Sequence, residues 1–331
     1  MLECMLLLTR GEVASLLDFA AYIPVVEQAF RRHAEGEALE PALAHVSAPN
    51  GEFHIKAGGL QHYFGLKVNG GFFQNQSRFH LPNIQGLIFL SRADNGVPLA
   101  AMDSIEITIR RTGAATAVAA KYLARPDSSI CTICGCGNQG RAQLRALRQV
   151  LPIEKAFVWS PIADEMERFA AAMSEEQRIE VLPAVNLASS IQQSHVCVTC
   201  TPSKAPFVRR EWVPEGMFIA AVGADSPDKQ ELDAALVASS KVVADLRAQS
   251  AAVGEAHHAI AAGLMTADQI YAELGQIVAG KIAGRASDRE VIIFDSTGTA
   301  RCRRRIRARQ RAGYRPGMAG QRRPGVIRDA R

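Results

Sequence analysis

The chain has 331 residues, 48% of them hydrophobic, and a formal charge of +5, which is enough apolar matter to bury the cores of two ordinary domains. No stretch approaches the roughly 20 consecutive apolar residues of a membrane span. Residues 1–12 are too short and acidic too early for a secretory leader, so a cytoplasmic location without a membrane partner is expected.

Residues 11–35 space Leu16, Leu17, Ala20, Val25, Val26, Ala29 and Phe30 as one amphipathic helix or two, with a break expected near Pro24. From 52 to 103, short extended runs (EFHIKA, YFGLKVNG, GLIFLSR, PLAAMDS) separated by Gly, Asn and Pro predict an antiparallel sheet. The run SIEITIRRTGAATAVAAKYLAR then reads as a long connecting helix that stops at Pro126. From 129 onward apolar strands alternate with helices, which predicts parallel βαβ units with right-handed crossovers. A last strand-like run, EVIIFDSTG, is expected to return to the first domain. The fold class is α/β: a Rossmann-type doubly wound parallel sheet over 121–289, beside an α+β domain over 1–120 that 290–300 rejoin.

The charge is unevenly placed. Residues 301–331 hold twelve Arg and one acid, Asp329, which leaves residues 1–300 at −6. An Arg-rich tail can bind phosphates. Its abrupt start after FDSTGTA and its lack of any apolar period fit an out-of-frame or disordered extension better, and no nucleic-acid partner is expected.

Seven cysteines include two Cys-x-x-Cys spacings, at 131/134 and 197/200, which invite a zinc reading. Both pairs lie in strand-like runs, where residues three apart point to opposite faces. Buried thiols are expected there, and no metal site.

Gly135-Cys136-Gly137-Asn138-Gln139-Gly140 fits G-x-G-x-x-G directly after an apolar strand and at the start of a helix, where free N–H groups attract a pyrophosphate. Ser160, Thr199, Thr201, Val222 and Gly223 stand at or just past later strand ends and complete the expected dinucleotide contacts. The second strand ends in Trp159-Ser160-Pro161 with no acid for a ribose hydroxyl, and Asp164 and Glu165 come late and read as first-turn helix residues, so between NADH and NADPH the sequence leans to NADPH, although no Arg stands at 160 or 161 to grip a 2′-phosphate.

Asp225 follows an apolar strand through a glycine, within reach of a nicotinamide, and is the candidate proton-handling group; its bland alternative is a turn or helix cap. Lys67, a charge inside an apolar strand, and Arg111, before a small-residue helix, are candidate ligands for a substrate carboxylate. For either one alone, a solvated or structural role is an equal alternative. His54, His62, His257 and His258 receive no role.

Lys67, RTGAATAVAAKYLAR from Arg111, GCGNQG, GADSPDKQEL from Gly223 and FDSTG from Phe294 together resemble the ornithine cyclodeaminase/mu-crystallin family over about residues 5–300. The resemblance implies a homodimer built through the substrate domain, a nicotinamide cofactor and a small amino or imino acid substrate. It implies that Lys67 and Arg111 bind the substrate carboxylate and that Asp225 is the acid/base. Lys229 would organise the Asp225 loop, and Thr297 and Gly298 would line the nicotinamide end. Three features depart from the family, one being that the Arg-rich tail replaces the family's closing helix after FDSTG, against the stability or dimerisation of this chain. Ala42 stands where many members carry Arg, leaving Lys56 as the candidate replacement, and Asn83 stands where Thr is common. The leading expectation is reduction of a cyclic imino acid, Δ1-pyrroline-2-carboxylate to L-proline; the alternatives are ornithine cyclodeamination and an alanine dehydrogenase-like reaction.

Overall fold

The computed structural model describes residues 5–39 and 42–298, so the Arg-rich tail, Cys4 and Cys302 lie outside the described residues. The first sheet contains β1 (Leu6–Leu8), β2 (Ala42–Ala48), β3 (Gly51–Leu60), β4 (Tyr63–Gly71), β5 (Ile84–Arg92) and β6 (Pro98–Asp103). Their order is β1-β6-β5-β4-β3-β2, antiparallel except for β1, which runs parallel to β6. Helices α1 (Arg10–Leu16), α2 (Phe19–Ala34), α3 (Asn75–Phe79) and α4 (Ile105–Leu123) accompany it.

The break between the first two helices falls at Leu17 and Asp18, not at Pro24 as the sequence suggested. Leu17 is extended, and Asp18 caps the new helix by accepting from the Ala21 N–H (3.0 Å). Pro24 sits inside α2, where it removes one helical hydrogen bond while Ile23, Val26, Ala29 and Phe30 stay buried. Burial of that face outweighs the missing donor.

Period-two alternation gives the first sheet two unlike faces. One carries Val46, Phe53, Ile55, Phe64, Leu66, Val68, Leu87 and Phe89, matched across the strands by register. The other carries His45, Glu52, His54, Lys56, Lys67 and Asn69 on β2 to β4, then Ile88 and Met102, which α1 and α4 cover.

The second sheet holds β7 (Ile130–Cys134), β8 (Lys155–Trp159), β9 (Glu180–Pro183), β10 (Val196–Thr199), β11 (Phe218–Ala221), β12 (Lys241–Ala244), β13 (Ala272–Glu273) and β14 (Ile292–Asp295). Every neighbouring pair is parallel, in the order β9-β8-β7-β10-β11-β14-β12-β13. The chain runs outward from β7 to β9, then restarts beside β7 at β10, which makes β7/β10 the topological switch point. The associated helices are α5 (Asn138–Leu147), α6 (Ala163–Gln177), α7 (Leu187–Gln192), α8 (Ala234–Ala238), α9 (Arg247–Val253), α10 (Glu255–Ala261) and α11 (Leu274–Val278).

One expectation is corrected here. The run EVIIFDSTG does not return to the first sheet: β14 inserts between β11 and β12, with Ile292, Ile293 and Phe294 wholly buried. An apolar run without alternation suits a strand covered on both faces, which only the parallel sheet offers. The small residues of α4 join the two sheets. Gly113 packs so closely that a Cβ there would lie 3.0 Å from the Ala142 carbonyl oxygen of α5 and 3.0 Å from the Phe19 ring of α2.

Candidate active site

Register brings the carboxyl ends of four parallel strands into line, because Cys134 pairs with Thr199, Thr199 with Ala221, and Ala221 with Asp295. The next residues, Gly135, Cys200, Val222 and Ser296, therefore lie along one rim. The glycine loop and the Asp225 loop thus leave the sheet on the same side, where open parallel sheets hold their ligands.

The loop at 135–140 fits a dinucleotide pyrophosphate on three observations. Gly135 adopts φ +125, a conformation that L side chains rarely take. A Cβ on Gly140 would stand 1.9 Å from the Gly135 carbonyl oxygen, so strand and helix touch backbone to backbone. Gly137 is the α5 N-cap and makes no side-chain cap bond, so that helix terminus keeps its free N–H groups, and a Cβ there would meet nothing within 4 Å. Beside it the Gln139 Oε1 is buried without a hydrogen-bond partner, an acceptor that a bound donor would satisfy.

Across the rim, Lys229 Nζ donates to Asp225 Oδ1 (2.7 Å). Burial pushes the Asp225 carboxyl up, but the Lys229 ammonium in contact, with Lys56 and His54 further off, more than offsets this and holds it below its ordinary value. It is a carboxylate at neutral pH, and 45% of its side chain remains exposed. Lys56 Nζ reaches over from the first sheet to the carbonyls of Gly298 (2.9 Å) and Thr297 (3.3 Å). Burial, and next to it the charge of Arg111, holds Lys56 below its ordinary value, while Asp225 pulls the other way. A Cβ on Gly298 would lie 3.2 and 3.3 Å from the two terminal nitrogens of Arg111 and 3.4 Å from Lys56 Nζ. Lys67 is the cross-strand neighbour of Lys56 on the same face. Lys56, Arg111, Asp225 and Lys229 therefore share one cleft between the sheets, with Lys67 beside them.

Buried carboxylates hold the rim loops in place. Glu231 accepts from the Thr201 N–H (2.6 Å), the Thr201 hydroxyl (2.7 Å) and the Gly223 N–H (2.9 Å), so it ties the loop after β10 to the one after β11. Glu255 in turn accepts from the N–H groups of Glu231 (2.7 Å) and Leu232 (3.2 Å), and His258 Nε2 donates to the Lys229 carbonyl (2.7 Å). Asp245 accepts from the Thr297 hydroxyl (2.9 Å) and the Gly298 N–H (2.6 Å). Asp295 accepts from the Ser250 hydroxyl and from the N–H groups of Glu255 and Ala256; burial pushes it up to about 6. Burial likewise raises Glu231, Asp245 and Glu255.

Several sequence-assigned side chains have other employment. Asn83, assigned to substrate, accepts from the Gln76 N–H (3.0 Å) with its amide oxygen and braces the start of α3. The Thr199 side chain is wholly buried, and the Thr201 hydroxyl donates to Glu231. The Thr297 hydroxyl is committed to Asp245 and Gln249 (3.2 Å), which leaves its backbone and that of Gly298 at the cleft. Ser160 is buried and donates to Glu165 Oε2 (2.7 Å). An acid does stand behind the second strand, brought back by the first turn of α6; it lies six residues beyond the strand end, where the sequence alone reads it as a first-turn helix residue.

Sequence reasoning also passed over Glu231, Asp245, Glu255 and Asp295. The available signal was an acid closing an apolar strand, in KVVAD and VIIFD, and the Glu of the GADSPDKQEL run. The cysteines point as alternation requires: Cys131 packs into one core, Cys134 and Cys197 into the other. Burial raises the Cys131, Cys136 and Cys200 thiols, Cys136 to about 11; Cys134 is raised chiefly by its hydrogen bond with Cys197.

Comparison with known proteins places these features. The model of the ornithine cyclodeaminase/mu-crystallin family matches residues 3–301. An iminosuccinate reductase of Paracoccus denitrificans is 37% identical over 302 residues, 89% of this chain and 92% of that protein. An archaeal alanine dehydrogenase dimer with bound NAD superposes with a TM-score of 0.85 at 37% identity, covering 89% of this chain and 91% of that one. The Δ1-pyrroline-2-carboxylate reductase of Thermococcus litoralis, in complex with NADH and L-proline, superposes at 0.86 with 34% identity over 89% and 92%.

Proposed function

Since the chain belongs to the ornithine cyclodeaminase/mu-crystallin family, we propose that it is a nicotinamide-dependent oxidoreductase that reduces a small cyclic imino acid, of the type Δ1-pyrroline-2-carboxylate to L-proline. The observation that carries this reading is one rim bearing both the Gly135–Gly140 loop and the Lys229–Asp225 pair, with Lys56 and Arg111 closing the cleft opposite.

Arg111 and Lys67 would hold the substrate carboxylate, with Lys56 beside them on the cleft face; Ala42 pairs with Ala57 on the opposite face, so Lys56 does not stand in for a side chain at 42. The cofactor supplies hydride when bound. Asp225, kept ionised by Lys229, would face the imine nitrogen and stabilise its protonated form, the better hydride acceptor, with the proton held on nitrogen throughout. Glu231 and Asp245 would act as positioning residues, through the Thr201, Gly223 and Gly298 backbones.

Between the two cofactors, the Glu165 carboxylate held by Ser160 favours NADH, because it can accept from a ribose 2′-hydroxyl and would repel a 2′-phosphate. The lean to NADPH rested on the absence of such an acid. The test is reduction of Δ1-pyrroline-2-carboxylate followed at the nicotinamide absorbance with NADH and NADPH in parallel, beside L-ornithine with NAD followed by ammonia release. Cofactor-consuming reduction, faster with NADH, is expected. Ammonia release without net cofactor turnover would overturn the assignment to a reductase.

The apolar face of the first sheet supports a homodimer. Val46 (49% exposed), Phe53 (39%), Leu87 (49%) and Phe89 (40%) lie side by side on it, and such a contiguous patch calls for a partner surface. We infer that a second copy covers it. The double substitution Leu87→Glu with Phe89→Glu is expected to convert a dimeric mass in light scattering to a monomeric one; a monomeric parent protein would refute the interface. Five free thiols among the described residues fit a reducing compartment, and we infer a cytoplasmic location. Among the described residues no single helix is long and apolar enough to cross a membrane.

A further inference from the structure

The cleft face of the first sheet carries three side chains that the proposed reaction leaves unused. His45 on β2 lies directly across from His54 on β3, and Glu52, two residues before His54, shares their face. The Glu52 carboxylate takes one imidazole on each oxygen, with His45 Nε2 2.6 Å from Oε2 and His54 Nε2 2.8 Å from Oε1. The two ring centroids are 5.0 Å apart, and the ligand atoms of the three residues all lie within 4.8 Å of one another.

We propose that His45, Glu52 and His54 form a binding site for a divalent transition-metal ion of the zinc class. Two imidazole nitrogens and one carboxylate oxygen are a donor set that borderline cations prefer over magnesium or calcium, which take oxygen ligands. Ligand bonds of about 2.0–2.1 Å at tetrahedral angles put donor atoms roughly 3.3 Å apart, so the two imidazole–carboxylate separations, 2.6 and 2.8 Å, must open by about half an ångström, and the widest separation in the set, which lies within 4.8 Å, must close to match. The side chains can supply that shift without backbone movement, because paired strands already fix all three on one face. In the absence of a metal, imidazole protons bridge the same nitrogens to the same oxygens.

The set is accessible, with His45 49%, Glu52 28% and His54 30% exposed at the side chain. An ion there would pin β2, the edge strand, to β3, and would keep a fourth coordination position for water. The site stands at the mouth of the cleft, since His54 is two residues from Lys56 on the same face and its charge acts on Asp225. Among the described residues the cysteines offer no comparable set: Cys131 and Cys134 face opposite cores, and Cys136 and Cys200 are held as thiols by burial.

The test is calorimetric titration of the full chain with Zn²⁺, repeated with Co²⁺ so that visible absorption reports the coordination. One equivalent per chain is expected, with a tetrahedral-type Co²⁺ spectrum. His45→Asn and Glu52→Gln should each weaken binding by about tenfold or more while NADH affinity and thermal midpoint stay near the parent values, which separates ligand loss from misfolding. No saturable binding in the parent protein overturns the proposal. So does binding that is unchanged in both variants, which would place the ion elsewhere on the chain.

Discussion

Asp225→Asn is expected to lower kcat for imino acid reduction by roughly 10²–10⁴-fold, the range for loss of a positioned proton-handling group. NADH affinity, measured by fluorescence titration, should stay near the parent value, since the substitution keeps the size of the side chain and removes only its charge. An iminium nitrogen would then meet a neutral amide within a cleft already rich in cations, and its protonated form would lose its stabilising partner. Near-normal turnover would refute the role. The neighbouring Lys229→Met variant tests the same pair through pH. Asp225 works ionised, so activity falls as pH drops through its pKa, which the Lys229 ammonium keeps below the ordinary carboxylate value. With that ammonium removed, burial acts unopposed by its nearest charge, and the acid limb of kcat/KM should move to higher pH. An unmoved limb would mean that Lys229 does not govern the carboxylate.

The second large effect belongs to Gly140→Ala. Its Cβ would stand 1.9 Å from the Gly135 carbonyl oxygen and 3.2 Å from the Phe169 ring; the first obstacle is backbone and cannot turn aside. Relief requires moving the strand end away from α5, which costs about 1–3 kcal/mol or more of stability and opens the loop. A lowered thermal midpoint together with loss of measurable NADH binding is therefore expected. Gly137→Ala supplies the contrast, because nothing lies within 4 Å of that Cβ and φ there is −85. The midpoint should hold while NADH affinity falls, since the added methyl would occupy space needed by an approaching pyrophosphate. Equal thermal midpoints for the two variants would show that the third glycine is not a packing requirement.

The part of the site legible in the sequence is the part written within a few consecutive residues. GCGNQG between an apolar strand and a helix is a local geometry, and the Gly-Ala-Asp after β11 is another. The misses are of a different kind. Lys56 meets Gly298 across 242 positions of chain, so no spacing rule could reveal the contact. Glu165 reads as an ordinary first-turn acid until α6 folds it back onto Ser160. The Asn83 amide oxygen braces α3, a contact that spacing alone does not show.

Sequence by itself determined the antiparallel runs between 52 and 103, the long helix before Pro126, the alternation of strands and helices from 129 and where a phosphate can approach backbone, because these follow from side-chain periodicity and the steric freedom of glycine. Tertiary structure alone decided that β14 joins the parallel sheet, since an apolar run specifies burial and not its neighbour. It also decided that four buried carboxylates fix the rim and that His45, Glu52 and His54 converge. Such meetings depend on strand register and on loops returning from distant parts of the chain, and their energies exist only once those parts are in contact.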